Sequence, residues 1–194
     1  MNLRNYGWLL GTTLLVGGIG GVLAGFLVAG EHLGGSVGNF FVGTLVNLLV
    51  GLTIAVLAEM GFFAYMTLNY LMLSLLKNMK LWKAIQVVLI LFTAFDMVYL
   101  RYTAFGQGEA IWPYLLVPLM LLAVAVVAAY AKVRLTNSNA WIPTVFFLFV
   151  VTSIEWVPGL RQNNASSALF MIVPLLFCNI WQVLHLHRLT QKTS

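Results

Sequence analysis

Stretches of apolar residues without Lys or Arg alternate along the chain with short polar or turn-forming segments. A helix needs about 20 residues to cross the hydrocarbon core of a bilayer, and a slightly shorter apolar run suffices when polar ends extend it. The intervening segments are rich in residues that end helices. The pattern predicts an all-α integral membrane protein: one polytopic domain over residues 1–194, built as a bundle of about six transmembrane helices. The predicted spans are residues 6–29, 38–76, 84–100, 111–131, 141–157 and 165–184.

The second stretch is long enough to cross a bilayer twice, since its helix would measure about 60 Å. The basic residues favour a single crossing. With six spans, Arg101 and Arg161 fall on one side, and all other basic residues fall on the side of both termini. Because Lys and Arg are retained in the cytoplasm, this distribution predicts one long tilted or broken helix, with both termini inside the cell. The residues on the inner side are Arg4, Lys77, Lys80, Lys83, Lys132, Arg134, Arg188 and Lys192.

Composition supports a membrane protein. The chain is 61% hydrophobic and only 8% charged, whereas soluble domains have about 25% charged residues. The net charge of +5 does not predict a nucleic-acid partner, because the basic residues form no continuous face. The one cysteine, Cys178, lies in an apolar run, which excludes a disulfide framework and a Cys-based metal site within one chain. Arg4 before the first run also fits a cleaved secretory signal, although the run is long for one.

The first span carries a row of glycines. Gly17, Gly21 and Gly25 recur every four residues and therefore share one helix face. Small residues at this spacing let helices approach closely in lipid. Two interpretations stay open at this point: packing against other helices of the same chain, or a docking surface for another membrane protein.

A second row of small and polar residues runs along the long second span. Its members, at four-residue spacing, include Asn47 and end at Glu59. A charged side chain at mid-bilayer costs at least about 2.5 to 3.5 kcal/mol on insertion scales. We therefore expect this row to face other helices or a cavity, and we expect Glu59 to be a protonated structural residue or a site residue.

Further charged residues approach the predicted outer side. Asp96 and Glu155 lie in the third and fifth spans, and Arg101 and Arg161 follow on the same side. Asp96 and Arg101 point in directions about 140° apart on a helix. An ion pair between spans, such as Arg101 with Glu155, is therefore the expectation, with a ligand or signal site as the alternative. The buried polar candidates are Asn47, Glu59, Asp96, Arg101, Glu155 and Arg161.

Two further expectations concern helix surfaces. The six tryptophans lie near predicted helix ends, where indole rings favour the headgroup layer of a bilayer. Residues 115–129 of the fourth span carry no strongly polar side chain, which predicts a helix at the lipid-exposed periphery.

The sequence contains no HExxH, GxSxG or Walker signature. His185 and His187 lie near the end of the last span, whereas His32 falls on the opposite side of the predicted membrane. We therefore expect no enzyme, no cofactor and no metal site.

Four segments carry a resemblance to a known family: MGFFAY at residues 60–65, LWKAIQVVLILFTAFDMVYLRY at 81–102, IEWVPGL at 154–160 and PLLFCNIWQVLHLH at 174–187. With these, the chain resembles the KinB-signalling pathway activation proteins of endospore-forming bacteria over most of its length. The resemblance implies a multi-pass protein of the cytoplasmic membrane that promotes the activity of a membrane-bound sensor histidine kinase and thereby sporulation. It transfers no catalytic residue, although Asp96, Arg101 and Glu155 lie inside the matching segments.

Three functional hypotheses follow. The leading one is a non-enzymatic membrane activator of the KinB-type pathway, whose partner is the sensor kinase or another membrane protein. The alternative is a subunit that binds or transports a small solute, a vitamin or a metal ion. In size, helix count and small-residue first span, the chain resembles the substrate-binding components of energy-coupling-factor transporters. The third is an intramembrane enzyme that uses Glu59, Asp96 or Glu155 as acid or base, but three carboxylates on three helices do not establish a catalytic pair.

Overall fold

The structure is a computed structural model that describes residues 3–28, 37–106, 108, 110–162 and 164–190. These residues form helices and no strand, and six helices are long and apolar enough to cross a membrane. Each of the six predicted spans overlaps one of these six helices. Ala29 and Lys192 lie outside the described residues. The helices are α1 (Leu3–Val28), α2 (Val37–Leu76), α3 (Met79–Phe105), α4 (Trp112–Leu135), α5 (Ser138–Leu160), α6 (Ala165–His185) and the short α7 (His187–Thr190).

Helix α2 settles how the overlong second stretch folds. It is one helix of 40 residues, as predicted from the charge distribution, and not two helices joined by a turn. Lys77 ends it in a left-handed conformation with φ 49°. Asn78 then begins α3, because its side chain accepts hydrogen bonds from the backbone N–H groups of Lys80 and Leu81. The chain therefore reverses between α2 and α3 within two residues.

The contacts within the chain define two compact units. Unit 1 contains the chain up to Met60 and from Trp156 onwards, and unit 2 contains Gly61–Glu155. Unit 1 thus holds α1, the first part of α2, the end of α5, and α6 with α7. Unit 2 holds the second part of α2, helices α3 and α4, and most of α5.

In unit 1, α1 packs antiparallel against α6. A Cβ added to Gly20 would lie 2.8 Å from Pro174 Cα, which shows how closely the two backbones approach. Two turns earlier in α1, the Trp181 indole N–H donates to Thr12 Oγ1 over 3.0 Å. Along the contact, residue numbers rise in α6 where they fall in α1, so the two helices are antiparallel. These two contacts define which residues of α1 and α6 lie opposite each other.

Helix α1 also packs antiparallel against the first part of α2. Gly17 lies beside Gly51 and Ala55, and Gly21 lies beside Gly51 and Asn47. One turn further along α1, the Asn47 side chain covers Gly25. The predicted glycine row is thus packed against helices of the same chain, which is the first of its two interpretations.

Unit 2 is built around α5. This helix starts with a 3₁₀ turn and contains a π turn at Phe147–Val151. Residues Thr144 to Val150 are buried in succession, as in a helix surrounded by others. Aromatic contacts secure it: Phe62 lies edge-on to Phe147 at 5.8 Å, and the Tyr65 hydroxyl donates to the Pro143 carbonyl over 3.3 Å.

Two of the six tryptophans do not fit the expectation of a headgroup position. Trp82 is buried at 3% exposure and its indole N–H donates to Asn69 Oδ1 over 2.8 Å. Trp156 is buried at 5% exposure and donates to the Ala168 carbonyl over 3.0 Å. Each indole has a polar partner inside its own unit, so the nearness of these tryptophans to helix ends reflects packing. Trp8, Trp112 and Trp141 are exposed.

Candidate functional site

The predicted site residues separate into the two units. Asn47, Glu59 and Arg161 belong to unit 1, and Asp96, Arg101 and Glu155 belong to unit 2. Glu59 and Glu155 are buried, Asn47, Asp96 and Arg101 are half-buried, and Arg161 is exposed. Each group is therefore described within its own unit.

Glu59 is the most enclosed charged candidate in unit 1. It points into the interior with 6% of its surface exposed. Two polar side chains lie near its carboxylate, the Thr13 hydroxyl from α1 and the Gln182 amide from α6. Neither contact has the geometry of a hydrogen bond, so both carboxylate oxygens are without a hydrogen-bond partner among the described residues. We call Glu59, Thr13 and Gln182 the acid–amide centre.

The α1 side of this centre can accept a hydrogen bond but not donate one. Thr13 is fully buried and its hydroxyl donates to the Leu9 carbonyl one turn earlier, over 2.8 Å. A hydroxyl has one proton to donate. Its lone pairs are what Thr13 presents to Glu59.

The α6 side is equally buried. Gln182 has no exposed surface, and both its amide nitrogen and its amide oxygen lack partners within the described chain. Asn179 lies three residues earlier and is also fully buried. Residues three apart share a helix face, so α6 presents a polar strip towards α1 and α2.

An aromatic cluster lies next to the acid–amide centre. The ring centroids of Trp181 and His185 are 4.0 Å apart, and those of Trp8 and Trp181 are 6.4 Å apart. One ring nitrogen of His185 lies 2.9 Å from the Trp181 carbonyl. The Arg188 guanidinium stands 5.3 Å from the Trp8 ring. Trp8 lies near the start of α1, Trp181 and His185 lie near the end of α6, and Arg188 lies in α7.

Unit 2 contains a different buried carboxylate. Glu155 is 7% exposed and its carboxylate lies directly over Gly61 of α2. Two residues before Glu155, the Ser153 hydroxyl contacts the Met97 sulfur at 3.1 Å and donates to the Phe149 carbonyl. The expected Arg101–Glu155 ion pair is not formed, and Arg101 has no ion pair among the described residues. Glu155 instead packs against α2 at Gly61, where α2 has no side chain.

Some neighbours of the buried carboxylates do not stand out in the sequence. The apolar and polar pattern connects neither Thr13 nor Gln182 with Glu59, and it does not connect Gly61 with Glu155. The glycine row contains the missing signal. Gly21 pairs with Gly51 and Gly17 with Ala55, so Glu59, one turn beyond Ala55, falls opposite Thr13, one turn before Gly17.

The groups of the acid–amide centre can bind through hydrogen bonds and charge. Within the described ranges, no three His, Cys, Asp or Glu side chains come together in a group that could hold a metal ion. The groups that do meet are one carboxylate, one amide and one hydroxyl.

Comparison with known proteins extends over nearly the whole chain. Residues 17–189 match the family model described as KinB-signalling pathway activation in sporulation. The chain belongs to this family. It is also 32% identical over 185 residues to the KinB-signaling pathway activation protein of Bacillus subtilis (strain 168), covering 92% of this chain and 93% of that relative. No solved structure matches the chain.

Family membership confirms the resemblance predicted from the four sequence segments, and it associates the chain with activation of KinB signalling in sporulation. One buried carboxylate, Glu155, lies inside a matching segment, and the other, Glu59, lies directly before one. MGFFAY begins directly after Glu59 and includes Gly61, IEWVPGL includes Glu155, and PLLFCNIWQVLHLH includes Gln182.

Proposed function

We propose that this chain is a non-enzymatic activator that resides in the bacterial cytoplasmic membrane and acts on a KinB-type sensor histidine kinase by direct contact between membrane helices. The family match over residues 17–189 carries this proposal. Six apolar helices support it, since they take up nearly all described residues and leave helix faces and short turns as the available contact surfaces.

The surface for such a contact lies on exposed helix faces. Gly17, Gly21 and Gly25 lie against α2, and Gly17 also lies against Cys178 of α6, so this row is used within the chain. By contrast, the first part of α2 exposes large apolar side chains, among them Phe41 at 67% and Leu45 at 58%. Exposed apolar area of this kind is what a membrane protein offers to lipid or to another helix.

Activation is tested first by genetics. Deletion of the gene is expected to lower phosphorelay output and spore yield in a strain that relies on the KinB-type kinase, and re-expression is expected to restore both. Unchanged output in that strain would contradict the proposal.

Direct contact is tested by photo-crosslinking. A photoreactive amino acid at Phe41 or Leu45 is expected to form an adduct with the tagged kinase in intact membranes. The same residue at Ala55, which is fully buried, is the matched control and is expected to form none. If no exposed helix position yields an adduct while output still depends on the chain, activation is indirect.

We further propose that both termini lie in the cytoplasm, as the basic residues predict. Lys80 and Arg161 are exposed near opposite ends of long helices. In a Cys178→Ala background, a cysteine at Lys80 is expected to react with a membrane-impermeant thiol reagent only after the membrane is opened. A cysteine at Arg161 is expected to react in intact spheroplasts. The reverse pattern would overturn the topology.

A further inference from the structure

The acid–amide centre lacks one hydrogen-bond donor. An ionised carboxylate only accepts hydrogen bonds, and Thr13 can only accept because its proton is used by the Leu9 carbonyl. The Gln182 amide brings N–H donors, but its oxygen is an acceptor as well. With Glu59 ionised, three groups rich in lone pairs would face one another in a fully enclosed space.

One added proton corrects this mismatch. A protonated carboxyl group and a primary amide can close a ring of two hydrogen bonds, in which the acid O–H donates to the amide oxygen and the amide N–H donates to the acid carbonyl. This ring would satisfy the two oxygens of Glu59 and the amide nitrogen and oxygen of Gln182, which are the atoms left without partners. Buried polar groups in folded proteins are nearly always satisfied.

We propose that Glu59, Gln182 and Thr13 form a binding site for a single proton, held by Glu59 and shared with Gln182, and that occupancy of this site keeps α1, α2 and α6 packed together. The three residues come from the three long helices that meet in unit 1. Loss of the proton places a negative charge between them and breaks one of the two hydrogen bonds of the ring. The site thereby links proton binding to the packing of unit 1.

Few other titratable groups face this site. From α1, the titratable group near Glu59 is the Tyr6 hydroxyl. From α6, Gln182 and Asn179 do not titrate. The same helix brings two titratable groups near the site: the buried Cys178 thiol, which donates to the Thr13 carbonyl over 3.7 Å, and His185, whose ring lies against Trp181. From α2, Glu59 itself is the carboxylate. The tests therefore compare Glu59 with a carboxylate elsewhere in the chain.

The first test is the pH dependence of thermal unfolding of the purified full chain in lipid nanodiscs. Because the proposed proton completes the hydrogen bonds of the acid–amide centre, its removal in alkaline buffer is expected to lower the stability of the folded state. Wild type is expected to unfold at progressively lower temperature in more alkaline buffer. Glu59→Gln, which retains the shape without ionising, is expected to lose this slope. Asp96→Asn, the same change in a half-buried carboxylate of unit 2, is expected to keep it.

The second test needs no change at Glu59. Infrared spectra at neutral pH are expected to show the C=O stretch of a protonated carboxyl group that shifts with ¹³C-labelled glutamate, not with labelled aspartate, and that persists in Glu155→Gln. A wild-type slope in Glu59→Gln, or the absence of the band, would overturn the proposal. Both tests use isolated protein, so they are independent of whether deletion affects kinase output.

Discussion

Replacing Gly21 with alanine is expected to destabilise the protein strongly, whereas the same change at Gly11 is expected to be neutral or slightly stabilising. A Cβ on Gly21 would overlap the Asn47 carbonyl oxygen and lie 2.6 Å from Gly51 Cα and 2.8 Å from Gly51 N. All three are backbone atoms of α2 and cannot rotate away. The helices would have to separate, which loosens the contacts on both sides of the pair.

The size of the effect follows from two opposing contributions. Alanine is a better helix former than glycine by about 0.8 to 1.0 kcal/mol, which favours both variants. Overpacking of a tight interior typically costs about 1 to 3 kcal/mol, occasionally more. At Gly11 no atom lies within 4 Å of the added Cβ, so only the favourable contribution remains. Gly21→Ala should therefore be the less stable variant by about 2 kcal/mol or more relative to Gly11→Ala.

The comparison is made by unfolding in detergent and by the steady-state amount of protein in membranes. Both variants add one methyl group to α1, so differences in expression or labelling affect them equally. Equal stability of the two would show that α1 and the first part of α2 are not in close contact. Gly21→Ala is also expected to lower kinase-dependent output, because less folded protein is present, and Gly11→Ala is expected to leave output unchanged.

The helices are largely predictable from the sequence because each one contains a long apolar run bounded by polar, basic or turn-forming residues. The errors lie at helix ends. The absence of Lys and Arg predicts a third span that starts at residue 84, but α3 begins at Met79 because Asn78 caps it. Lysine side chains within the first turn of a helix can reach outwards along the helix surface, so a charge does not end a helix as a capping residue does.

Side-chain surroundings were less predictable than helix positions. Residues 115–129 have no strongly polar side chain, yet α4 buries one stripe that includes Leu121, Ala125 and Ala129. Small residues pack closely between helices without any polar signal. Likewise, Trp82 and Trp156 lie near helix ends but are buried. Contacts with residues distant in the sequence decide whether such side chains are buried. These contacts can be inferred from a single sequence only where a regular row of small residues, such as the glycines of α1, predicts which residues of two helices lie opposite each other.

The effect of Gly61→Ala on stability is expected to depend on the residue at position 155, being destabilising beside Glu155 and stabilising when residue 155 is alanine. In wild type, the new Cβ would overlap the Glu155 carboxylate and lie 2.7 Å from its Cδ and 3.3 Å from its Cγ. Glu155 is buried at 7% exposure, so its carboxylate cannot move into water and must leave its present contacts. Burial of a displaced carboxylate is unfavourable. Gly61→Ala alone is therefore expected to destabilise unit 2.

In a Glu155→Ala background the obstruction is absent, and Gly61→Ala is expected to stabilise the protein by about 0.5 to 1 kcal/mol through helix propensity. The difference between backgrounds is the coupling of the two positions, about 0.5 to 3 kcal/mol for residues in contact. Gly43→Ala is the control in the same helix, since nothing lies within 4 Å of its Cβ, and it should be favourable in both backgrounds. Equal effects of Gly61→Ala in the two backgrounds would show that Glu155 does not lie over Gly61. A coupled result would instead identify the absence of a side chain at position 61 as what allows α2 to accommodate a buried carboxylate from α5.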